Sequence, residues 1–163
     1  MGEVVLARVD ARLIHGQVLT TLAGSSGATA IFVSDNQSAN DPFTKNILMA
    51  AGAKTQLKTR VLKEDGAIRY WNDRQYDDYK VILLTKTISV MYDIIKGGVP
   101  IKKLNLGGIP KKPGLTPIIG EVSISHEELN MLNELADDYG VEVYFQAIPS
   151  SKMVTLEEAN KKF

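Results

Sequence analysis

The sequence predicts an α/β protein with one open, doubly wound sheet, mostly parallel, and helices on both faces. Three observations predict it. Short apolar runs such as residues 4–7, 30–34 and 80–84 are typical of buried strands. Segments with apolar residues at helical spacing lie between these runs, and Gly, Pro or Asp marks many junctions. Because strands that alternate with helices need crossover connections, this order favours parallel strands.

The predicted strands follow one another along the chain. In order, they cover residues 4–7 with an end near 8–10, then 30–34, 55–62, 80–84, 102–106 and 141–147. Residues 118–124 predict further extended structure. They follow residues 107–117, where three Pro and three Gly predict a loop.

The predicted helices carry apolar residues at helical spacing and recognisable end signals. They cover residues 16–23, 42–51, 64–72, 88–95, 126–139 and a short segment after residue 155. Asp41 before Pro42 is typical of a helix start, and Ser125 and Glu128 have the spacing of a capping box. Gly140 is a typical stop.

Length and composition indicate one domain over residues 1–163, since a chain of this size buries a core unaided. Nineteen basic residues balance nineteen acidic ones, so nucleic acid is not a predicted partner. With no Cys and two His, no metal site is predicted. The sequence shows neither a membrane span nor a secretory signal, which predicts a cytoplasmic protein.

The residues that carry chemistry are concentrated in the first strand-to-helix connection. They are Arg8, Asp10, Arg12 and His15, followed by Gly16 and Gln17 at the predicted helix start. Sites in such sheets form where loops leave the carboxyl ends of strands. An imidazole can store a phosphoryl group, and two guanidinium groups can hold its oxygens. Asp10 could orient an arginine or the second ring nitrogen, and the first helical amides add donors.

Structural roles for the same residues stay open at this point. An isolated histidine beside Leu13 and Ile14 is often structural, and Arg8 and Arg12 could merely pair with acids such as Asp10. The alternative function is a noncatalytic module that binds phosphate or a nucleotide, although no nucleotide-binding glycine pattern occurs. An interaction subunit without chemistry is a third alternative.

Four further residues are candidates for the rim of the site: Asp35, Lys86, Gly107 and Gly108. Asp35 ends the second strand, but aspartate is also an ordinary turn residue. Lys86 could dock an acidic partner or simply be solvated. The glycine pair could approach a phosphate closely, or it could supply a positive φ in a loop.

The segment from Arg8 to Val18 resembles the IIB component of the mannose/fructose/sorbose family of bacterial phosphotransferase systems. In that family the phosphorylated histidine lies in an Arg-x-Asp-x-Arg-Leu-Ile-His-Gly-Gln-Val motif, which this chain matches. The likeness covers most of the chain, through residues 33–35, 83–85, 97–99 and 105–108. Two positions depart from many relatives: Ala11 replaces an acidic residue, and Leu22 replaces a tryptophan.

The resemblance implies an open α/β fold and a phosphotransferase with a phosphohistidine intermediate. A IIA domain would phosphorylate His15 on Nδ1, and the group would pass to a sugar bound by the membrane subunits IIC and IID. It implies no cofactor, self-association in some relatives, and peripheral attachment to the membrane through those subunits. The sugar is left open among mannose, fructose, sorbose and N-acetylgalactosamine.

Overall fold

The computed structural model describes the backbone of residues 1–163 and every side chain except that of Gln17. Its strands are β1 (Glu3–Asp10), β2 (Ala30–Ser34), β3 (Lys58–Leu62), β4 (Lys80–Thr85), β5 (Lys103–Gly108), β6 (Thr116–Ile119), β7 (Val122–Ile124), β8 (Glu142–Phe145) and β9 (Val154–Thr155). Its helices are α1 (Gly16–Ser26), α2 (Asn36–Asn40), α3 (Pro42–Ala53), α4 (Glu64–Arg74), α5 (Ile88–Lys96), α6 (His126–Tyr139) and α7 (Leu156–Asn160). None of the described helices could span a bilayer.

Seven strands form one sheet in the order β3-β2-β4-β1-β5-β8-β9. Every neighbouring pair is parallel except β8 and β9, which are antiparallel. The remaining strands, β6 and β7, pair with each other as an antiparallel hairpin. The prediction of an open, mostly parallel sheet is therefore confirmed.

Helices cover both faces of this sheet, as predicted. Ile31 and Val33 of β2 belong to a buried cluster with Leu22 of α1 and apolar residues of α3. Phe32, which lies between them in sequence, belongs to a second cluster with Met91 of α5 and apolar residues of α4 and α6. Successive side chains of a strand point to opposite faces, so the two clusters lie on opposite sides of the sheet. This is the doubly wound arrangement.

The region after β5 is more regular than the predicted loop over residues 107–117 and the extended segment over residues 118–124. Gly107 and Gly108 are the last residues of β5, so the loop proper begins at Ile109. The extended segment is part of the hairpin of β6 and β7, interrupted by a turn at Gly120 and Glu121. The many Gly and Pro residues predicted a loop from residue 107 onward, but Gly107 and Gly108 lie in a strand.

The sequence pattern also misses two short elements and the start of one strand. The five-residue helix α2 is capped by Asp35, whose carboxylate accepts a hydrogen bond from the Ser38 amide at 3.0 Å. β9 has only two residues, which is too short for a periodic pattern. β3 begins at Lys58 rather than at residue 55, since Gln56 has a φ of 64° that interrupts extended backbone.

The carboxyl end of β1 lies inside the sheet, between β4 and β5. From β1 the chain turns into α1, which packs on one face, whereas β4 leads into α5 on the other face. Neighbouring strands whose connections leave toward opposite faces open a crevice at their carboxyl ends, where ligands bind in this fold class. The loop of residues 11–15 lies at that crevice.

Candidate active site

The loop between β1 and α1 is anchored by its backbone and by two apolar side chains. The Ala11 amide donates to the Gly108 carbonyl at 2.8 Å, and the Leu13 amide donates to the Asp10 carbonyl at 2.9 Å. Leu13, with a φ of 58°, and Ile14 bury their side chains in the cluster beneath α1. These contacts place His15 at the N-cap of α1, which begins at Gly16 as predicted.

Asp10 is the centre of the site. Its side chain is fully buried, and both carboxylate oxygens accept hydrogen bonds. Oδ1 accepts from the Arg12 amide at 3.0 Å and from Arg12 Nε at 3.1 Å. Oδ2 lies 3.0 Å from Arg8 Nη2, 3.1 Å from Arg12 Nη2 and 3.1 Å from His15 Nε2. One carboxylate therefore joins all the charged side chains that the sequence singles out in this segment.

The surroundings of Asp10 keep it ionised. Burial alone would raise the pKa of its carboxyl, but the hydrogen bonds from Arg12 and His15 and the charge of Arg8 outweigh burial and lower that pKa. An ionised carboxylate can only accept hydrogen bonds, so His15 Nε2 must be the donor in its contact with Asp10. In a neutral imidazole this leaves the lone pair on Nδ1 for chemistry.

Arg8 is buried, with 2% of its side chain exposed. Nη1 donates to Asn105 Oδ1 at 2.6 Å and to the Gln146 carbonyl at 3.4 Å. Nη2 donates to Asp10 and to the Ala147 carbonyl at 2.9 Å. Burial lowers the pKa of Arg8 against the opposing effect of Asp10, yet a guanidinium stays charged at neutral pH. Four of its N–H groups are occupied, so its placement favours orientation of Asp10 over phosphate binding.

Arg12 and His15 are the accessible members of the cluster. The Arg12 side chain is 55% exposed and that of His15 is 22% exposed. Arg12 uses Nε and Nη2 to hold Asp10, and within the described part of the chain its remaining guanidinium N–H groups are available to meet an anion. The helix α1 presents its first amides beside His15, although the side chain of Gln17 lies outside the described part of the chain.

The glycine pair at the end of β5 makes room for this cluster. A Cβ added to Gly107 would collide with the Arg8 guanidinium, and one added to Gly108 would lie 2.7 Å from Asp10 Oδ1. Neither glycine has a positive φ, so that explanation of the pair does not apply. The close approach suggested by the sequence is real, but it is an approach to the buried side chains of Arg8 and Asp10.

The other two rim candidates, Asp35 and Lys86, pair with each other. Lys86 Nζ lies 3.2 Å from Asp35 Oδ2 and 3.1 Å from Gln37 Oε1. Burial would raise the pKa of Asp35, but hydrogen bonds from the hydroxyl and amide of Ser38, helped by Lys86, lower it. Asp35 thus caps α2, and neither residue hydrogen-bonds to Arg8, Asp10, Arg12 or His15 in the described structure.

The two departures from the family motif have different surroundings. Leu22 is buried in the cluster beneath α1, where it serves packing. Ala11 lies where two clefts meet, one of about 290 Å³ and one of about 350 Å³. Arg12 and Gly108 line the first cleft, and Lys86 and Lys112 line the second. A small neutral residue at position 11 keeps the approach to the loop open and adds no negative charge.

The sequence analysis misses the residues that hold Arg8 from the far side. They are Asn105 and the backbone carbonyls of Gln146 and Ala147. A polar side chain between Leu104 and Leu106, in an otherwise apolar strand, was the available signal for Asn105. Backbone carbonyls carry no such signal, because any residue supplies one.

Comparison with known proteins identifies the family of this chain. Residues 4–162 match the family described as the PTS system sorbose subfamily IIB component. The N-acetylgalactosamine-specific phosphotransferase enzyme IIB component 2 of Escherichia coli K12 is 32% identical over 164 residues, covering 96% of this chain and 98% of that protein. The mannose-specific EIIAB component of the same organism is 29% identical over 154 residues, covering 93% of this chain and 47% of that protein.

Among solved structures, the crystal structure of manxB from Thermoanaerobacter tengcongensis is similar, with a TM-score of 0.93 and 37% identity. The superposition covers all of this chain and 98% of that one. The sequence match and the structural match both extend over nearly the whole chain. Family membership indicates a function in phosphoryl transfer during sugar uptake. The chain belongs to the sorbose subfamily of IIB components of the phosphotransferase system.

Proposed function

We propose that His15 carries the phosphoryl group on Nδ1, receiving it from a IIA domain and passing it to a sugar bound by membrane subunits IIC and IID. The contact of His15 Nε2 with buried Asp10 Oδ2, at 3.1 Å, is the observation that carries the proposal. It assigns the ring proton to Nε2 and leaves Nδ1 as the nucleophile. The His15 side chain is 22% exposed, so a second protein can reach the imidazole.

In the first step the Nδ1 lone pair attacks the phosphorus of the phosphorylated donor, and the donor's bond to phosphorus breaks with its electron pair. The His15 ring becomes an imidazolium that retains the Nε2 proton, and Asp10 stabilises that charge. Arg12 and the first amides of α1 hold the phosphoryl oxygens. Positioning and electrostatics of this kind provide most of the catalysis in phosphoryl transfer.

In the second step a sugar hydroxyl attacks the same phosphorus. The P–N bond of His15 breaks, its electron pair returns to Nδ1, and the hydroxyl proton leaves to a base on the sugar-binding partner or to water. The neutral Nε2–H imidazole is thereby restored. The chain itself needs no cofactor in either step.

Family membership and the relatives support the proposed partners. The mannose-specific EIIAB component contains, by its name, a IIA and a IIB part in one protein, and this chain matches about half of it. That name supports a IIA domain as the phosphoryl donor for this chain. Transfer to IIC and IID would hold the protein at the cytoplasmic side of the membrane as a peripheral component.

The test is phosphorylation with phosphoenolpyruvate and the upstream carrier proteins, followed by intact-mass measurement before and after mild acid. We expect one acid-labile phosphoryl group on the wild type and none on His15→Ala or His15→Gln, whose amide can still reach Asp10. His126→Ala is the matched control, since His126 is the only other histidine. An adduct that persists without His15 would refute the assignment to His15, whereas reversible ligand binding without covalent transfer would favour the noncatalytic alternative.

A further inference from the structure

We infer that Asn105 is a positioning residue for phosphoryl transfer, acting through Arg8 and Asp10 on the imidazole of His15. The inference rests on the proposed role of His15 and adds a residue of β5 that touches neither the phosphoryl group nor the imidazole. Three observations carry it: the register of β1 and β5, the fixed orientation of the Asn105 amide, and one oxygen of Asp10 shared by Arg8, Arg12 and His15.

The first observation is the register. Arg8 and Asn105 face each other across the parallel pair of β1 and β5, and Asn105 is buried. Arg8 Nη1 donates to Asn105 Oδ1 at 2.6 Å, a short distance typical of hydrogen bonds from charged donors. A guanidinium inside a sheet needs such an acceptor, because an unpaired buried donor is costly. Asn105 thus fixes one arm of Arg8.

The second observation is that the Asn105 amide has only one orientation available. Its Nδ2 donates to the Gln146 carbonyl at 3.0 Å, so its oxygen must face Arg8. The segment after β8 is closed in turn by Gln146 Nε2, which donates to the Ser151 carbonyl at 2.8 Å and the Pro149 carbonyl at 3.3 Å. The acceptors around Arg8 therefore form one connected set.

The third observation is the shared oxygen. Arg8 Nη2 donates to Asp10 Oδ2, the same atom that accepts from His15 Nε2. The guanidinium cannot move toward β5, since the Cα of Gly107 lies directly beside it and even an added Cβ would overlap it. Displacement of Arg8 on the Asn105 side would therefore withdraw one of the three donors on Asp10 Oδ2 and change how that oxygen holds the imidazole, while Arg12 keeps its own bonds to the carboxylate. The structure links Asn105 to the choice of ring tautomer by three consecutive hydrogen bonds.

The substitutions Asn105→Leu and Asn105→Asp separate two ways of disturbing Arg8. Leucine removes the acceptor and leaves an Nη1 donor without its partner. Aspartate keeps an acceptor but adds a carboxylate that competes with Asp10 for the guanidinium and can no longer donate to Gln146. Thr59→Val is the matched control, because it removes a buried hydroxyl from β3 at the far edge of the same sheet.

The primary measurement is the tautomer of His15, read from ring nitrogen chemical shifts at about pH 8, where an ordinary imidazole is neutral. We expect the wild type and Thr59→Val to show the proton on Nε2, and both Asn105 variants to show a mixture of tautomers. Single-turnover phosphorylation should slow by about 10-fold in both Asn105 variants, as outer-shell substitutions do elsewhere. The donor concentration that half-saturates the rate should stay unchanged.

Two results would overturn the inference: wild-type ring shifts in both Asn105 variants, or equal rate losses in Asn105→Leu and Thr59→Val. Should Asn105→Leu fail to fold, Asn105→Asp and Gln146→Leu carry the test, since the Gln146 side chain closes the segment whose backbone carbonyls at Gln146 and Ala147 accept from Arg8. Failure of the proposed function is distinguishable. It would appear as phosphorylation that survives His15→Ala, whereas the tautomer measurement needs no phosphoryl transfer.

Discussion

Replacement of Asp10 by asparagine tests how strongly the site depends on one buried charge. Asp10 balances the Arg8 guanidinium inside the sheet, and its oxygens accept hydrogen bonds from Arg8, Arg12 and His15. Asparagine offers one oxygen and a donor NH2 group, so at least one of these donors must face another donor. Arg8 would then be a buried charge without its counter-ion, and breaking a buried pair in this way costs about 3–5 kcal/mol.

We therefore expect Asp10→Asn to lower the free energy of unfolding by about 3–5 kcal/mol. For a chain of this length the corresponding fall in Tm is about 6–20 °C. Urea denaturation followed by circular dichroism measures the first quantity and calorimetry the second. Phosphorylation of His15 should fall by at least about 100-fold, as expected when a residue that holds the catalytic tautomer is lost. Asp78→Asn, at an exposed carboxylate, is the control and should change neither property.

The origin of the cost can be separated from simple loss of packing. If it comes from the stranded Arg8 charge, the double variant Arg8→Met/Asp10→Asn should be more stable than the sum of the single effects predicts, by about 2 kcal/mol. Additive effects of the two substitutions would refute the reasoning, because they would show that Arg8 and Asp10 contribute independently.

Three further outcomes follow from the same geometry. Gly107→Ala should destabilise the protein by about 1–3 kcal/mol, because the added methyl overlaps the Arg8 guanidinium; Gly24→Ala, exposed and in open space within α1, should stabilise it by about 0.5–1 kcal/mol. Lys86→Met should cost at most about 1 kcal/mol and leave the phosphorylation rate unchanged, as it removes a partly exposed pair with Asp35 and an exposed hydrogen bond to Gln37. Because the folded-state pKa of Asp35 is lowered, its stabilising contribution is present above the unfolded value of about 4 and is lost as the pH falls through the folded value. Urea titrations of wild type and Asp35→Asn should therefore differ at pH 7 and converge at low pH; a constant difference would contradict the assignment.

Sequence reasoning reaches the fold because each main element carries a local signal. The apolar run before Arg8, the start signal at Asp41 and the capping box at Ser125 all depend on residues close in sequence, and each is found where it was predicted. One failure, at the end of β5, has the opposite character. The strand position of Gly107 depends on Arg8, which lies far away in sequence and adjacent in space.

The same distinction applies to the site. Arg8, Asp10, Arg12 and His15 lie in one segment, so composition and position suffice to group them. The sequence of this segment does not show which arginine is buried and which is accessible, because Arg8 and Arg12 have the same chemistry. That difference depends on Asn105 and on the carbonyls after β8, which take Arg8 out of solvent and leave Arg12 accessible. Residues that tertiary contacts bring together leave no periodic or local pattern in the sequence.

The balance of charge explains why one guanidinium is buried with Asp10 while the other stays at the surface. Two guanidinium groups and one carboxylate give the empty site one net positive charge, which attracts a phosphoryl group. By the proposed function, transfer of PO₃⁻ to the neutral imidazole of His15 would add one negative charge and leave the loaded site neutral. A second accessible arginine would hold the phosphoryl group more tightly and slow its release to the sugar. The proposed carrier must release the phosphoryl group as readily as it accepts it, and the Asp10 carboxylate serves this by neutralising one of the two guanidinium charges.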